Sequence, residues 1–321
     1  MDNKREWRRW GRIILSVIAL VAIFLVTGLN DVFAALSHAD VSLILVGIGL
    51  NVVTRLAAAE RTYVISRGVG LPLNRWQTVE SMFISNFWSL ALPGLSAGSV
   101  ITVYRYTRYG VSLADGFGVL GASRVIELAA FCAFGAAAFA LSASAPNAEV
   151  TVLLSLVPLL ILGVFLLAPR VMSRTSQTPS ENKSSTSAIG RLRTVGAHAL
   201  MSFIGAPRKD LLAAGCFALL QCALDAASVM VLAWSLGFRI DWLDALWINV
   251  LAYLAILLPI SVVGLGVREA AVIVALTPLG VPRDGAIALA LLMLAATFFN
   301  ALVGGVLQFS SGTDWRQSRV S

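Results

Sequence analysis

Six ionisable side chains fall inside apolar stretches of this chain, where no water supports a charge: Arg55, Arg124, Glu127, Asp225, Arg268 and Glu269. Placing such a group at mid-bilayer costs about 2.5–3.5 kcal/mol on the mildest scale, so each marks a binding or transport site or an internal pairing. Arg268 and Glu269 follow directly on Gly264 and Gly266 and open an apolar segment. A helix starting there offers free backbone N–H groups and the positive end of its dipole to an anion. Arg268 adds a planar fork of donors that matches phosphate oxygens. Glu269 either braces that arginine or reads a cationic group, and an internal Arg–Glu lock is the structural alternative. Arg124 and Glu127, three residues apart, share one helical face; structural pairing and substrate contact both fit them. Arg55 lies midway along its run and reads as a cavity residue, whereas Glu60 and Arg61 read as a solvated interface pair. Asp225 sits deep, with Gln221 one turn earlier on the same face. It reads as the ion partner of one of the arginines, with a coupling proton as the alternative. Asn86, Asn249 and Asn300 read as interhelical hydrogen-bonding residues.

The elements that position these groups follow from composition. Hydrophobic residues make up 58% of the 321 and charged residues 13%, against about 25% charged in a soluble domain. Mean hydropathy is +0.84. This describes an all-α polytopic membrane protein. Full-length candidate spans lie at 13–29, 41–66, 114–142, 150–169, 210–236 and 285–309. The first follows Lys4, Arg5, Arg8, Arg9 and Arg12, with Trp7 and Trp10 beside it, and reads as an uncleaved anchor helix within residues 1–40. The net charge of +7 reflects orientation signals and not nucleic-acid binding. Cys132, Cys216 and Cys222 lack CxxC spacing, and His38 and His198 are far apart, so neither a metal site nor a cofactor is expected.

Two further apolar regions, 77–109 and 242–279, share one grammar. Leu92-Pro93 is followed by Gly98, then Gly110-Val111 before Asp115-Gly116; Leu258-Pro259 is followed by Gly264 and Gly266, then Gly280-Val281 before Asp284-Gly285. The pieces on either side of each break fall short of the roughly 20 residues a span requires. Each region therefore reads as a re-entrant helical hairpin broken at Pro93 and Gly98, or at Pro259, Gly264 and Gly266, tolerated where it lines protein or a cavity. With the amino terminus inside, nineteen of the 24 Lys and Arg fall on the cytoplasmic side, Arg61 and Arg105 among them. Only Arg239 and Arg283 fall outside. Residues 41–142 and 210–309 then form inverted repeat units, an arrangement suited to alternating access at a midplane site. Between them, 143–209 holds a connecting span, a polar cytoplasmic linker and an interfacial helix, and 310–321 is a cytoplasmic tail.

The run Leu258-Pro259-Ile260-Ser261-Val262-Val263-Gly264-Leu265-Gly266-Val267-Arg268-Glu269, followed by Leu279-Gly280-Val281, resembles the hallmark of the lysylphosphatidylglycerol synthase transmembrane-region family. The first half is similar in Leu92-Pro93, in Arg105 and Gly110, and in Ser123-Arg124-Val125-Ile126-Glu127. It departs in following Gly98 with Ser99-Val100-Ile101-Thr102, where the family usually has Gly-Glu and a nearby arginine. The resemblance implies a flippase-like transporter of a phosphate-bearing lipid or lipid-linked precursor across the bacterial cytoplasmic membrane, with both termini cytoplasmic. Its partner would be an anionic or zwitterionic membrane lipid, gripped by Arg268, Glu269, Arg124, Glu127, Arg55 and Asp225. The chain carries no HExxH or P-loop motif, and a non-enzymatic role is expected. An accessory protein for a glycosyltransferase or lipid-modifying enzyme is the alternative from another class.

Overall fold

A computed structural model of the chain describes residues 37–91, 97–142, 206–257 and 267–310. The expected spans 13–29 and 150–169, the linker and interfacial helix, the tail, and the breaks at Pro93, Pro259, Gly264 and Gly266 lie outside the described residues.

Among the described residues, four helices are long and apolar enough to cross a membrane: α1 (Val41–Gly68), α4 (Leu113–Leu141), α5 (Arg208–Ser235) and α8 (Arg283–Ser310). At about 1.5 Å per residue, each exceeds the roughly 30 Å of a hydrocarbon core. Between them stand two pairs of shorter helices, α2 (Arg75–Ala91) with α3 (Ala97–Thr107), and α6 (Trp242–Leu257) with α7 (Val267–Leu276). As described, each is shorter than the roughly 20 residues of a typical span. All described regular elements are helical.

Local chemistry explains the boundaries. Asp40 caps α1 by accepting from Ser42 N at 2.8 Å and Leu43 N at 3.3 Å. Asn74 and Gln77 cap α2 reciprocally, each side chain accepting from the other's backbone N–H, which satisfies two donors the first turn leaves open. Asp241 accepts from Asp244 N at the corresponding start of α6. Gly70 after α1 and Gly237 after α5 have φ of 74° and 83°. Each is followed by the same return bond, Leu71 N to Ser66 O and Phe238 N to Ala233 O, both 3.0 Å. Gly110 and Gly280, ahead of α4 and α8, have φ of 84° and 70°. Left-handed backbone at these ends favours glycine. The Gly-Val pairs of the sequence are thus turns that redirect the chain into a long helix.

Within the first short pair, Ser85 and Ser89 of α2 meet Gly98 of α3, while Glu80 and Ser81 meet Arg105. The two helices therefore run antiparallel. Arg105, expected among the cytoplasmic loop charges, is buried and pairs with Glu80 at 2.7 Å. A guanidinium between two helices is held by an acid on the facing one, which a loop position would not require.

Polar and charged groups are buried beside the apolar core while large apolar side chains face outward. The interior contains Asn51, Arg61, Glu127, Gln221 and Asp225, whereas Val41, Leu45, Leu302, Val306 and Phe309 stand exposed. Only a lipid solvent makes that favourable, and the chain is a membrane protein. The main apolar core joins α4, α5, α6, α7 and α8 around Trp247, which is fully buried and lies 5.4 Å from the Phe139 ring. Small residues let the helices approach, as expected where packing rather than the hydrophobic effect joins them. A Cβ on Gly304 of α8 would stand 1.9 Å from the Phe83 carbonyl oxygen of α2, and one on Gly135 of α4 would stand 2.6 Å from Val250 of α6.

Gly304→Ala should lower stability by about 1–3 kcal/mol, because backbone blocks the methyl and the helices must part. Gly49→Ala, with nothing within 4 Å, should be neutral or slightly stabilising through helix propensity. Thermal unfolding of both variants in detergent compares them.

Candidate functional site

A cavity of about 230 Å³ opens among the midpoints of the long helices and the short helices between them. Five of the six charged residues expected at a site line it: Arg55 on α1, Arg124 and Glu127 on α4, Asp225 on α5 and Arg268 on α7. Residues more than two hundred positions apart thus converge on one chamber. Glu269 is adjacent to Arg268 on α7, and its side chain lies outside the described residues. Of the expected breaks, Gly98 is described; it lies at the α2–α3 contact and does not line the cavity.

Glu127 is the most fully held group in the chamber. Its Oε2 lies 3.0 Å from Arg61 Nη2 and 2.8 Å from Arg124 Nη1, and its Oε1 accepts from Gln221 Nε2 at 2.8 Å. Arg61 also donates to Ser123 Oγ at 2.9 Å and, through a short bond, to Gln221 Oε1. The two arginines differ in freedom: the Arg61 side chain is 1% exposed and that of Arg124 is 60% exposed. Arg61 is therefore a fixed counter-charge and Arg124 a presented one. Glu127 keeps a full ion pair and an amide donor when Arg124 turns away.

Reading Arg61 as a solvated partner of Glu60 is corrected here. Glu60 pairs instead with Arg75 at 3.5 Å, and Arg61 points inward. Its position toward the helix end suggested water, but the helix there is packed on several sides, with Ala57, Ala58 and Ala59 all buried. That alanine run was the available signal, since small residues mark close helix contact.

Asp225 has weaker company. Its Oδ1 lies 3.8 Å from Arg55 Nη2 and accepts from Asn51 Nδ2 at 3.3 Å. Asn51 is in turn held by Asn300 Nδ2 at 2.6 Å, so α8, α1 and α5 are joined in one polar chain. This matches the reading of Asp225 as an arginine's partner. Arg268 donates to Thr297 Oγ1 at 3.1 Å, which aims α7 toward α8.

Asn86 of α2 and Asn249 of α6 also line the cavity. Their amide nitrogens are buried without a partner, as is Asn300 Oδ1. Among the described residues the expected interhelical bond is made by Asn300 with the unanticipated Asn51, while the amide nitrogens of Asn86 and Asn249 carry none. Spare hydrogen-bonding capacity facing a polar chamber is characteristic of a site whose ligand completes it. Among the described residues no group of three His, Cys, Asp or Glu side chains could hold a metal. The described charged groups facing the chamber are three guanidiniums and two carboxylates.

Removing Arg61 should leave Glu127 with Arg124 and Gln221 and destabilise the fold by up to about 3 kcal/mol, the lower end of the cost of breaking a buried pair. Arg61→Met combined with Glu127→Gln should recover much of that loss, while Arg124→Ala should retain a near-native unfolding temperature. Thermal melts followed by size-exclusion chromatography distinguish the fixed from the presented arginine.

No curated protein matches the chain. Comparison with protein families gives a match over residues 10–304 to the family described as lysylphosphatidylglycerol synthase TM region. The match covers all the helices that build the chamber apart from the last turns of α8. A membrane-embedded helical chain matched along nearly its whole length, this protein belongs to the lysylphosphatidylglycerol synthase transmembrane-region family.

Proposed function

We propose that the protein is a flippase-like translocator that moves the phosphate-bearing headgroup of a lipid through the central chamber while the acyl chains stay in the bilayer. The observation that carries this reading is the convergence of Arg55, Arg124 and Arg268 on one mid-helix cavity beside only two carboxylates. Among the described lining groups positive charge is in excess, and guanidinium forks suit phosphate oxygens. At about 230 Å³ the chamber is smaller than the roughly 300–1,000 Å³ of a drug-sized ligand site. It suits a headgroup and not a whole lipid.

Alternating access fits the arrangement of the helices. The reading of α1–α4 and α5–α8 as inverted copies is supported by their lengths, 28, 17, 11 and 29 residues against 28, 16, 10 and 28. It is supported again by their packing. The contact of α2 with α8 has its counterpart in α6 with α4, that of α1 with α2 in α5 with α6, and that of α4 with α5 in α8 with α1. Antiparallel packing of α2 on α3 supports a re-entrant hairpin, and the matching short pair α6–α7 takes the same role from the opposite face. On this reading the chamber belongs to both units, and a rocking of one against the other presents it to either surface. The distribution of Lys and Arg favours a bacterial cytoplasmic membrane with both termini inside.

Arg124 and Arg55 are the groups that would leave their acids for the phosphate, and Arg268 would meet them from the second hairpin. Losing one charge-assisted contact is worth about 1.5–3 kcal/mol, or roughly 10- to 150-fold in rate. Headgroup translocation of fluorescent phosphatidylglycerol in proteoliposomes should fall by this factor in Arg268→Ala and by less in Arg268→Lys, which keeps the charge without the fork. Full activity in both variants removes Arg268 from the mechanism.

A further inference from the structure

The two acids of the chamber differ in what remains to them once a guanidinium departs. Glu127 retains Arg61 at 3.0 Å and Gln221 at 2.8 Å, so it stays ionised with Arg124 elsewhere. Asp225 has less in reserve. Its ion pair is the long 3.8 Å approach of Arg55, with Arg268 adding attraction, and its hydrogen bonds come from neutral groups, the Asn51 amide and the Thr54 hydroxyl. The residue is 8% exposed, near the middle of α5.

The other charged and titratable groups near it are few. Arg268 of α7 also lines the chamber and attracts the carboxylate, Glu127 and Arg124 stand on α4, Tyr253 on α6, and Cys222 precedes it on its own helix. From α8 the chamber receives the neutral side chains Leu294, Thr297 and Asn300. An anion in the chamber competes for the same arginines, and Glu127 contributes only like charge.

We propose that Asp225 takes up one proton when an anionic headgroup takes Arg55, making translocation a proton-coupled process. This rests on the headgroup-binding reading above. The phosphate gains the guanidinium, the carboxylate gains a proton from the solvent then facing the chamber, and no covalent bond other than O–H forms. A monoanionic headgroup and a proton together leave the net charge of the chamber unchanged. The loaded state therefore crosses without the cost of about 2.3 kcal/mol per elementary charge per 100 mV that a lone anion would carry. When the headgroup leaves on the other side, Arg55 returns and the proton is released there, so lipid and proton travel in the same direction. The same linkage sets the sign of the pH response. The occupied state binds more protons than the empty one, so affinity for the anion rises as pH falls. The steepest slope for one linked proton is about tenfold per pH unit.

The test is calorimetric titration of the purified full chain with dihexanoyl phosphatidylglycerol, whose phosphodiester keeps its charge from pH 5 to 8. Two buffers of different ionisation enthalpy at each pH count the protons exchanged. The expected result is uptake of close to one proton per lipid, with affinity increasing up to tenfold per unit of acidification. Asp225→Asn should bind with no proton uptake and a flat pH profile. Binding to the unaltered protein without proton exchange overturns the coupling but leaves the headgroup site standing. Undiminished uptake in Asp225→Asn overturns the assignment to that residue. Absence of binding at every pH overturns the headgroup site and this inference with it. Should Asp225→Asn fail to fold, the two-buffer count on the unaltered protein decides the matter alone.

Discussion

A charge held away from water must be answered by another charge or by hydrogen bonds, and that requirement organises this protein. Arg61 and Glu127 form the pair on which the rest depends. They tie α1 to α4, and Gln221 brings in α5 by bonding both partners. Three long helices are thereby fixed in register by a buried pair that has no water to turn to. The looser groups, Arg124, Arg55 and Asp225, are arranged around that fixed centre. On the proposed function, this division separates a rigid counter-ion from presented ones.

Small residues provide the second condition. Gly304 brings α8 against the backbone of α2, and Gly135 brings α4 against α6. In each case the last long helix of one half receives the first short helix of the other. The polar chamber is enclosed by elements drawn from both halves, so neither half holds a complete site. Buried asparagines at the same level then contribute neutral donors and acceptors without adding charge that must itself be compensated.

Much of this was legible in the residues. Deep arginines and acids are conspicuous against an apolar background, and Arg55, Arg124, Glu127, Asp225 and Arg268 were all found by that contrast alone. The turns were legible too, because Gly110 and Gly280 stand in matching contexts and adopt the same left-handed backbone. Arg61 and Arg105 were misread for a shared reason. Both sit toward helix ends, where length alone suggests water, and only tertiary packing reveals that the helix end is covered. Asn51 and Thr297 were overlooked because a neutral polar side chain carries too small a transfer cost to stand out in hydropathy. Their role appears only when α8, α1 and α5 are seen side by side.

The seam between α1 and α5 has a consequence of its own. There the Leu232 side chain and the Ser228 carbonyl of α5 crowd Gly47, and Ser228 Oγ donates to the Gly47 carbonyl at 2.8 Å. On the twofold reading these helices are each other's counterparts, so their contact is isologous, like the face shared by a symmetric dimer. A polypeptide half this length could have assembled through that face as a pair, provided it inserted in both orientations with little bias of basic residues. Fusion into one chain would free each half to carry its own charges, as Arg55 and Arg124 lie on one side and Asp225 and Arg268 on the other.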